Sequence, residues 1–326
     1  MKKYLLGVDI GGTKCAVVLG ERNEDALKIT DKIRFDTTDV DQTIGNILES
    51  LDMMVGKYGL DSENTGAIGI SCGGPLDNLR GVVMSPPNLP GWNNIPIVKL
   101  VEDRVGIQAA LENDANACAL AEWKFGAGKG SDNMVFLTFG TGLGAGLILD
   151  GKLYSGTNGN AGELGHIRLS DFGPVGYGKQ GSFEGFASGG GIAQIAKAAL
   201  TEKYQQGKIV SWCPVEKIAS VTAKDVADAA HCGDALALEI YETSSRYLGL
   251  GLSIIIDILN PQVIVIGSIY ARNEEMIRPV MQKVIDRESL GGAAAVCRVV
   301  SAALGEKIGD YAALSVAADL VDKKTI

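Results

Sequence analysis

A pattern of strand, glycine–threonine turn and strand occurs twice in this chain, and no other feature constrains the fold as much. DIGGTKCAVVL begins at Asp9 and TFGTGLGAGLIL at Thr138, about 130 residues further on. In each, an apolar run enters a turn of Gly and Thr and a second apolar run leaves it, the signature of a β-hairpin. A hairpin excludes two phosphate loops. Gly7 and Gly12 stand at the Walker spacing, but Thr13 precedes Lys14 and a strand follows where a helix is required. GTGLGAG contains part of G-x-G-x-x-G, yet LIL-Asp150-Gly151-KLY after it signals another hairpin and not the helix of a dinucleotide fold. What remains in both is a turn whose bare N–H groups can approach a phosphate, with Asp9 beside the first as a Mg2+ partner. The same residues also suit an ordinary tight hairpin. Two glycine hairpins related by a repeat suggest two like domains facing one polyphosphate.

The intervening segments alternate between strand and helix, which indicates an α/β architecture. Residues 41–58 carry Ile44, Ile47, Leu48, Leu51, Met54 and Val55 at helical spacing, and TGAIGIS after them is a strand. Thr222 and Asp225 form a capping box before VADAA, 234–258 is a long buried helix, and Val263–Ile266 a strand turning at Gly267-Ser268. LGEKIGDYAALSVAADLV near the end is an amphipathic helix.

Composition bears on what can be excluded. The net charge of −9, with Lys and Arg scattered, leaves no basic face for nucleic acid. The apolar run after Met1 ends at Asp9, too short for a signal peptide, and SIIIDILN is interrupted by Asp257, so no membrane span is expected. Six cysteines with no CxxC pair read as free thiols in a reducing cytoplasm.

Three places carry candidate chemistry. CGGPLDNLRGVVMSPPNLPGWNNIP is a long loop too apolar for disorder; Asn88 within it either binds a ligand or caps its own turn. In IQAALENDANACALAEWKFGAG a strand gives way at Glu112-Asn113-Asp114 to an alanine-rich helix ending near Gly126. Asp114 at that junction either caps the helix or presents a carboxylate at the carboxyl edge of a sheet, where open α/β folds bind ligands. The third is the glycine-dense run from Thr138 to His166, which closes on Glu163 and His166.

Together VDIGGTK, SPPNLPGW, ENDANACALAE, FGTGLGAG and above all GTNGNAGELGH and EGFASGGG resemble the ROK family of sugar kinases and repressors, over nearly the whole chain. The resemblance implies two actin-like ATPase (ribonuclease H-like) α/β domains with an interdomain cleft. Their expected extents are 1–118, completed by a helix at 308–326, and 119–307. It implies an ATP-dependent kinase acting on the 6-hydroxyl of glucose or a related hexose. N-acetylglucosamine, N-acetylmannosamine, mannose and fructose are alternative acceptors, inorganic polyphosphate an alternative donor, and an idle sugar-binding regulator the alternative class. Asp114 matches the family's catalytic base. Asn88, Asn113, Glu163, His166 and Glu184 match sugar-binding positions, together with Asp114. Asp9, Gly11, Gly12, Thr13, Lys14, Gly140, Thr141, Gly142 and Gly144 would serve ATP phosphates and, through water on Asp9, Mg2+. Gly267 and Ser268 lie on the adenosine side. The expected partners are a hexose or N-acetylhexosamine and further copies of the chain, as homodimer or homotetramer, with no nucleic acid and no membrane.

Two departures stand out. The family carries C-x-C-G-x-x-G-C after GELGH, whose thiolates bind a structural zinc with the histidine; here those positions are Val175, Tyr177 and Ser182. None replaces a thiolate, so no structural zinc is expected, and Phe172, Tyr177 and Phe183 are expected to pack the segment instead. Repressor members carry an amino-terminal winged helix, whereas here the hairpin begins at residue 4.

Overall fold

The computed structural model describes residues 3–23 and 26–323. The chain opens with β1 (Tyr4–Ile10), β2 (Lys14–Arg22), β3 (Leu27–Asp36), α1 (Val40–Tyr58) and β4 (Thr65–Cys72). Two short strands, β5 (Leu76–Asp77) and β6 (Val82–Val83), precede α2 (Ile97–Val105), β7 (Ala109–Asn113) and α3 (Asp114–Phe125). Next come β8 (Met134–Phe139), β9 (Leu143–Leu149), β10 (Lys152–Leu153), β11 (Val175–Gly176), β12 (Lys179–Gln180), α4 (Phe183–Phe186), α5 (Gly189–Gln205), α6 (Ala223–His231) and α7 (Ala235–Leu259). β13 (Val263–Ser268), α8 (Ile269–Glu288), α9 (Gly291–Ala294), β14 (Arg298–Ser301) and α10 (Ile308–Lys323) complete the order.

The expected repeat is present in the topology. One sheet runs β3-β2-β1-β4-β7 and the other β10-β9-β8-β13-β14. In the first, β1 pairs antiparallel with β2 and parallel with β4, and β4 parallel with β7; in the second, β8, β13 and β14 are likewise parallel. The Asp150-Gly151 turn between β9 and β10 has both residues at positive φ, 51° and 67°, as the sequence signal for a primed turn requires.

The chain divides into two compact units, residues 1–130, 146–161 and 303–326 in one, and 131–145 with 162–302 in the other. The divisions therefore fall at 130, 145, 161 and 302, where sequence reasoning placed two, at 118 and 307; α3 belongs whole to the first unit, and residues 146–161 return to it. Residues 324–326 of the expected terminal helix lie outside the described residues. Among the described residues no helix is long and apolar enough to cross a membrane.

Strand alternation sorts the first unit's core onto two faces. Leu6, Val8 and Ile10 of β1 join Ile68, Ile70 and Cys72 of β4 in the cluster packed by α1 and α2. Leu5 and Ala67 point the other way, into a cluster with Leu314, Ala317 and Ala318 of α10. Gly7 and Gly69 occupy that second face side by side in register. They form a seat without side chains: a Cβ at Gly7 would stand 2.9 Å from the Ala313 Cβ, and one at Gly69 would overlap the Ala313 carbonyl oxygen. The amphipathic reading of α10 is therefore corrected. Asp310 and every residue from Ala312 to Ala318 are buried, because small side chains let the helix lie against both the sheet and α3.

One carboxylate ties this unit's chain crossings. Glu122 of α3 is fully buried and accepts from the N–H groups of Ala127 (2.8 Å), Ala303 (3.1 Å) and Leu304 (2.9 Å).

Gly69→Ala is expected to lower the unfolding free energy by about 2 kcal/mol or more, since the obstacle is backbone and cannot rotate away. Gly45→Ala, in α1 with nothing within 4 Å of the added methyl, is expected to raise it by roughly 0.5 kcal/mol. Urea denaturation of both variants checks the contrast; equal effects would refute the seat.

Candidate functional site

The candidate residues fall into one set on each unit. In the first, the carboxyl ends of three neighbouring parallel strands bring them together. Ile10 of β1 pairs with Cys72 of β4, and Cys72 with Asn113 of β7, so Asp9, the Gly73-Gly74 loop, Asn113 and Asp114 share one sheet edge. Asn113 takes the capping work: its side chain accepts from the N–H groups of Ala115 (2.9 Å) and Asn116 (3.3 Å). Asp114 follows as the first helical residue, exposed, its own carboxylate accepting from Ala115 N–H at 2.8 Å. The capping alternative raised for Asp114 thus belongs to its neighbour.

The Gly11–Lys14 turn is a hairpin end in which Gly11 N–H bonds the Lys14 carbonyl at 3.1 Å. Gly12 is glycine for want of room, since a Cβ there would lie 2.6 Å from the Asn88 carbonyl oxygen. Asn88 and Asn113 close around the loop that follows β4. A Cβ on Gly73 would stand 3.4 Å from the Asn88 amide nitrogen, and one on Gly74 3.5 Å from that of Asn113. Thr37, beyond any motif, braces the turn: its hydroxyl donates to the Gly11 carbonyl (2.6 Å) and its N–H to that of Thr13 (3.0 Å).

Asp9 lies on the α10 face of β1, where a Cβ on Gly309 would meet its carboxylate at 2.9 Å. Burial pushes its pKa up to about 6; Asp310 and Asp114 push the same way, against the weaker pull of Lys32 and Arg34. Burial likewise raises the Cys72 and Cys118 thiols, with Asp114 the next cause in each. Mg2+, which keeps several waters and is held by one or two carboxylates together with substrate phosphates, would call for Asp9 in its ionised form. No group of three or more His, Cys, Asp or Glu side chains that could hold a metal unaided occurs among the described residues.

Beneath this edge lies support that motif reading missed. Glu112, buried, accepts from Asn113 N–H (2.9 Å), the Asn116 amide (3.0 Å) and the Asn78 amide (3.3 Å). Its signal in sequence is the i, i+4 pairing with Asn116 inside ENDANA.

On the second unit the turn between β8 and β9 is closed by Gly140 N–H on the Gly142 carbonyl (3.0 Å). The start of α5 docks on it, with Gly189 N–H on the Gly140 carbonyl (2.7 Å) and Gly190 N–H on that of Thr141 (3.1 Å). Glu184 reaches the same turn, accepting from Leu143 N–H at 2.9 Å, and a Cβ on Gly142 would stand 2.8 Å from that carboxylate. Glu163 precedes and His166 ends a 3-10 turn, Leu164–His166, and both are exposed. Gly165 between them packs on Glu184, whose Cβ would be 3.3 Å from its added methyl. Glu184, Glu163, His166 and the Gly140–Gly144 turn are thus assembled on one unit. Gly267 and Ser268 end β13, and Ser268 (φ 58°, ψ −115°) turns directly into α8 without a side-chain cap. Along α8 a cavity of about 640 Å³ is lined by His231, Arg272, Asn273, Glu274, Glu275 and Arg278.

The expectation that Phe172 and Tyr177 pack the segment after His166 is corrected. Phe172 is 79% exposed and Tyr177 80%; only Phe183 is buried, over Gly251 of α7. Backbone and side-chain hydrogen bonds hold the segment instead, with Gly173 lying against the Phe186 ring.

Comparison with known proteins bears on both sets. The family profile described as ROK family matches residues 5–323. A glucokinase of Thermotoga maritima is 34% identical over 87% of this chain and 88% of its own. The structure of a ROK family glucokinase from Streptomyces griseus in complex with glucose and AMPPNP is 31% identical, with TM-score 0.71 over 98% of this chain and 99% of that one. A ROK family transcriptional regulator, a homologue of the E. coli MLC protein, is 26% identical with TM-score 0.83, over 99% of this chain and 79% of that one. The fold is accordingly that of the actin-like ATPases of this group.

The raised pKa of Asp9 makes a prediction independent of activity. Its folded value lies above the ordinary one, so its protonated form contributes stability present below about pH 4 and lost as pH rises through about 6. Asp9→Asn cannot ionise, and is expected to gain roughly 2 kcal/mol on the parent between pH 4 and 7. Urea midpoints without nucleotide or divalent ion measure it; parallel curves would show that Asp9 titrates as in the unfolded chain.

Proposed function

The chain belongs to the ROK family, and on that premise we propose that it is an ATP-dependent hexose kinase, transferring the γ-phosphate to the 6-hydroxyl of glucose or a related hexose. The observation that carries the reading is the gathering of Asp9, Asn113 and Asp114 at the ends of β1 and β7, with the helix cap already supplied by Asn113. A sugar hydroxyl is a poor nucleophile until a carboxylate accepts its proton as the bond to phosphorus forms. Asp114 is assigned that role.

Asn88, Asn113, Glu163, His166 and Glu184 are assigned to the sugar, whose hydroxyls both donate and accept and so call for amides, carboxylates and imidazole. The turns at Gly11, Gly12, Thr13, Lys14 and at Gly140, Thr141, Gly142, Gly144 are assigned to the phosphates, Gly267, Ser268 and the cavity along α8 to the adenosine end. Mg2+, bound through water to Asp9, would neutralise charge developing on the transferred phosphoryl group. Alignment and backbone N–H donors supply most of the remaining acceleration.

N-acetylhexosamines and fructose remain acceptors to be tested, and polyphosphate a donor. A second class, a sugar-binding regulator without turnover, draws support from the likeness to the transcriptional regulator. Against it stand Asp9, Asp114 and both turns, all retained in one chain.

Coupled ADP release over glucose, mannose, fructose, N-acetylglucosamine and N-acetylmannosamine decides between them. One or more sugars are expected to stimulate turnover, and Asp114→Asn to lower kcat by about 10² to 10⁴ with sugar binding retained. Binding without stimulation by any sugar would establish the regulator. Glu112→Ala is expected to cost about tenfold or more in kcat/KM, since Asn113 and Asp114 lose their support. Glu112→Gln, which can still accept from Asn113, should retain most of the activity.

A further inference from the structure

The segment after His166 holds three positions, Val175, Tyr177 and Ser182, at which a zinc-bound relative would present thiolates. These residues do not fit a metal. Val175 has no donor atom, the Ser182 hydroxyl is already engaged, and Tyr177 and His166 cannot make a tetrahedral site alone.

Each position instead carries a different contact. At Val175 a side-chain amide from α5 bonds both backbone polar groups of the residue: Gln194 Oε1 accepts its N–H at 2.9 Å, and Gln194 Nε2 donates to its carbonyl at 2.8 Å. Tyr177, at φ 44°, sets its ring edge-on to the His166 ring, with centroids 6.5 Å apart at 79°. Ser182, fully buried, accepts from Gly185 N–H (3.1 Å) as the cap of α4 and donates to the Gly176 carbonyl (3.4 Å). Between these, Lys179 Nζ donates to the His166 carbonyl at 2.7 Å and Arg168 to that of Gln180 at 2.8 Å. Phe183 N–H reaches the Ile167 carbonyl at 2.7 Å, so the β12 side of the hairpin is fastened to the segment that begins at His166, while its β11 side is held by Gln194.

We propose that this hydrogen-bonded hairpin positions Glu163 and His166 without a metal ion, and that Gln194 is its principal positioning residue. Gln194 touches no assigned ligand group; it acts by fixing Val175, hence the hairpin, hence Lys179 under the His166 carbonyl. The proposal rests on the kinase reading only where it concerns sugar affinity.

The test has a structural arm and a kinetic arm. Elemental analysis of the purified chain is expected to find far less than one zinc per chain, and the Tm to be unmoved by a strong chelator. Stoichiometric zinc whose removal lowers the Tm overturns the proposal. Gln194→Ala is expected to expose residues 171–181 to limited proteolysis and to raise the sugar KM about tenfold, with kcat and the ATP KM within about twofold. Gln194→Glu, which accepts the Val175 N–H but cannot donate to its carbonyl, should fall between. If Gln194→Ala leaves the protease pattern and the sugar KM unchanged, Gln194 positions nothing. If no sugar is turned over, the kinase reading fails, and zinc content, chelator response and proteolysis still decide on the brace.

Discussion

The amino-terminal set depends on how closely one helix approaches one sheet. Gly7 and Gly69 stand in register on adjacent parallel strands, and only their missing side chains let α10 settle with Ala313 against the backbone. The same approach fixes what lies one turn earlier in the helix. Gly309 comes to rest against the Asp9 carboxylate, and Asp310 enters as a buried acid paired with Lys32 at 2.5 Å. A helix held further out would leave Asp9 in water with an ordinary pKa. Close packing and the electrostatics of the candidate metal partner are therefore one constraint.

Local chemistry explains how much of this is legible in sequence. The two hairpins follow from apolar runs broken by Gly-Thr, and their repetition carries the shared strand order of both sheets. The Thr222–Asp225 capping box and the Asp150-Gly151 turn depend on residues within a few positions of one another, and both are present. β14 and α2 are not legible in sequence, because short segments such as CRVVS and IVKLVEDRV lack a decisive period. The amphipathic reading of α10 failed for a related reason: alanine satisfies a polar face in a pattern, yet here fills a buried one.

Within the site, what escaped the sequence is support from a distance. Thr37 acts on a turn more than twenty residues away, and Asn78 on Glu112 across thirty-four. Nothing in their neighbourhoods marks them. Motif reading finds side chains that face a ligand because their spacing is set by turns and strand ends; the groups that hold those side chains are chosen by the fold alone. Phe172 and Tyr177 show the reverse error. Aromatic residues in a glycine-rich segment suggest a small core, but the backbone of that segment already pairs with itself and with Gln194, so the rings stay exposed.

A bound zinc in a small domain supplies the free energy that folds it, on the order of 10 kcal/mol. A handful of hydrogen bonds at about 1 kcal/mol each cannot match that. They need not, because the segment is anchored elsewhere. Phe183 fills the hollow above Gly251, Phe186 stacks on Tyr247 at 3.4 Å, and the Ser244 hydroxyl holds the Phe186 carbonyl at 2.8 Å, so α4 is fixed to α7 by burial. With one end secured in the core, the hairpin requires orientation more than stability. Orientation is what a two-point amide contact provides, since Gln194 satisfies both backbone polar groups of one residue, Val175, only in one arrangement. The burden that a metal would carry thus separates into two, with apolar packing beneath α4 holding the segment down and directional hydrogen bonds at its edge aiming His166.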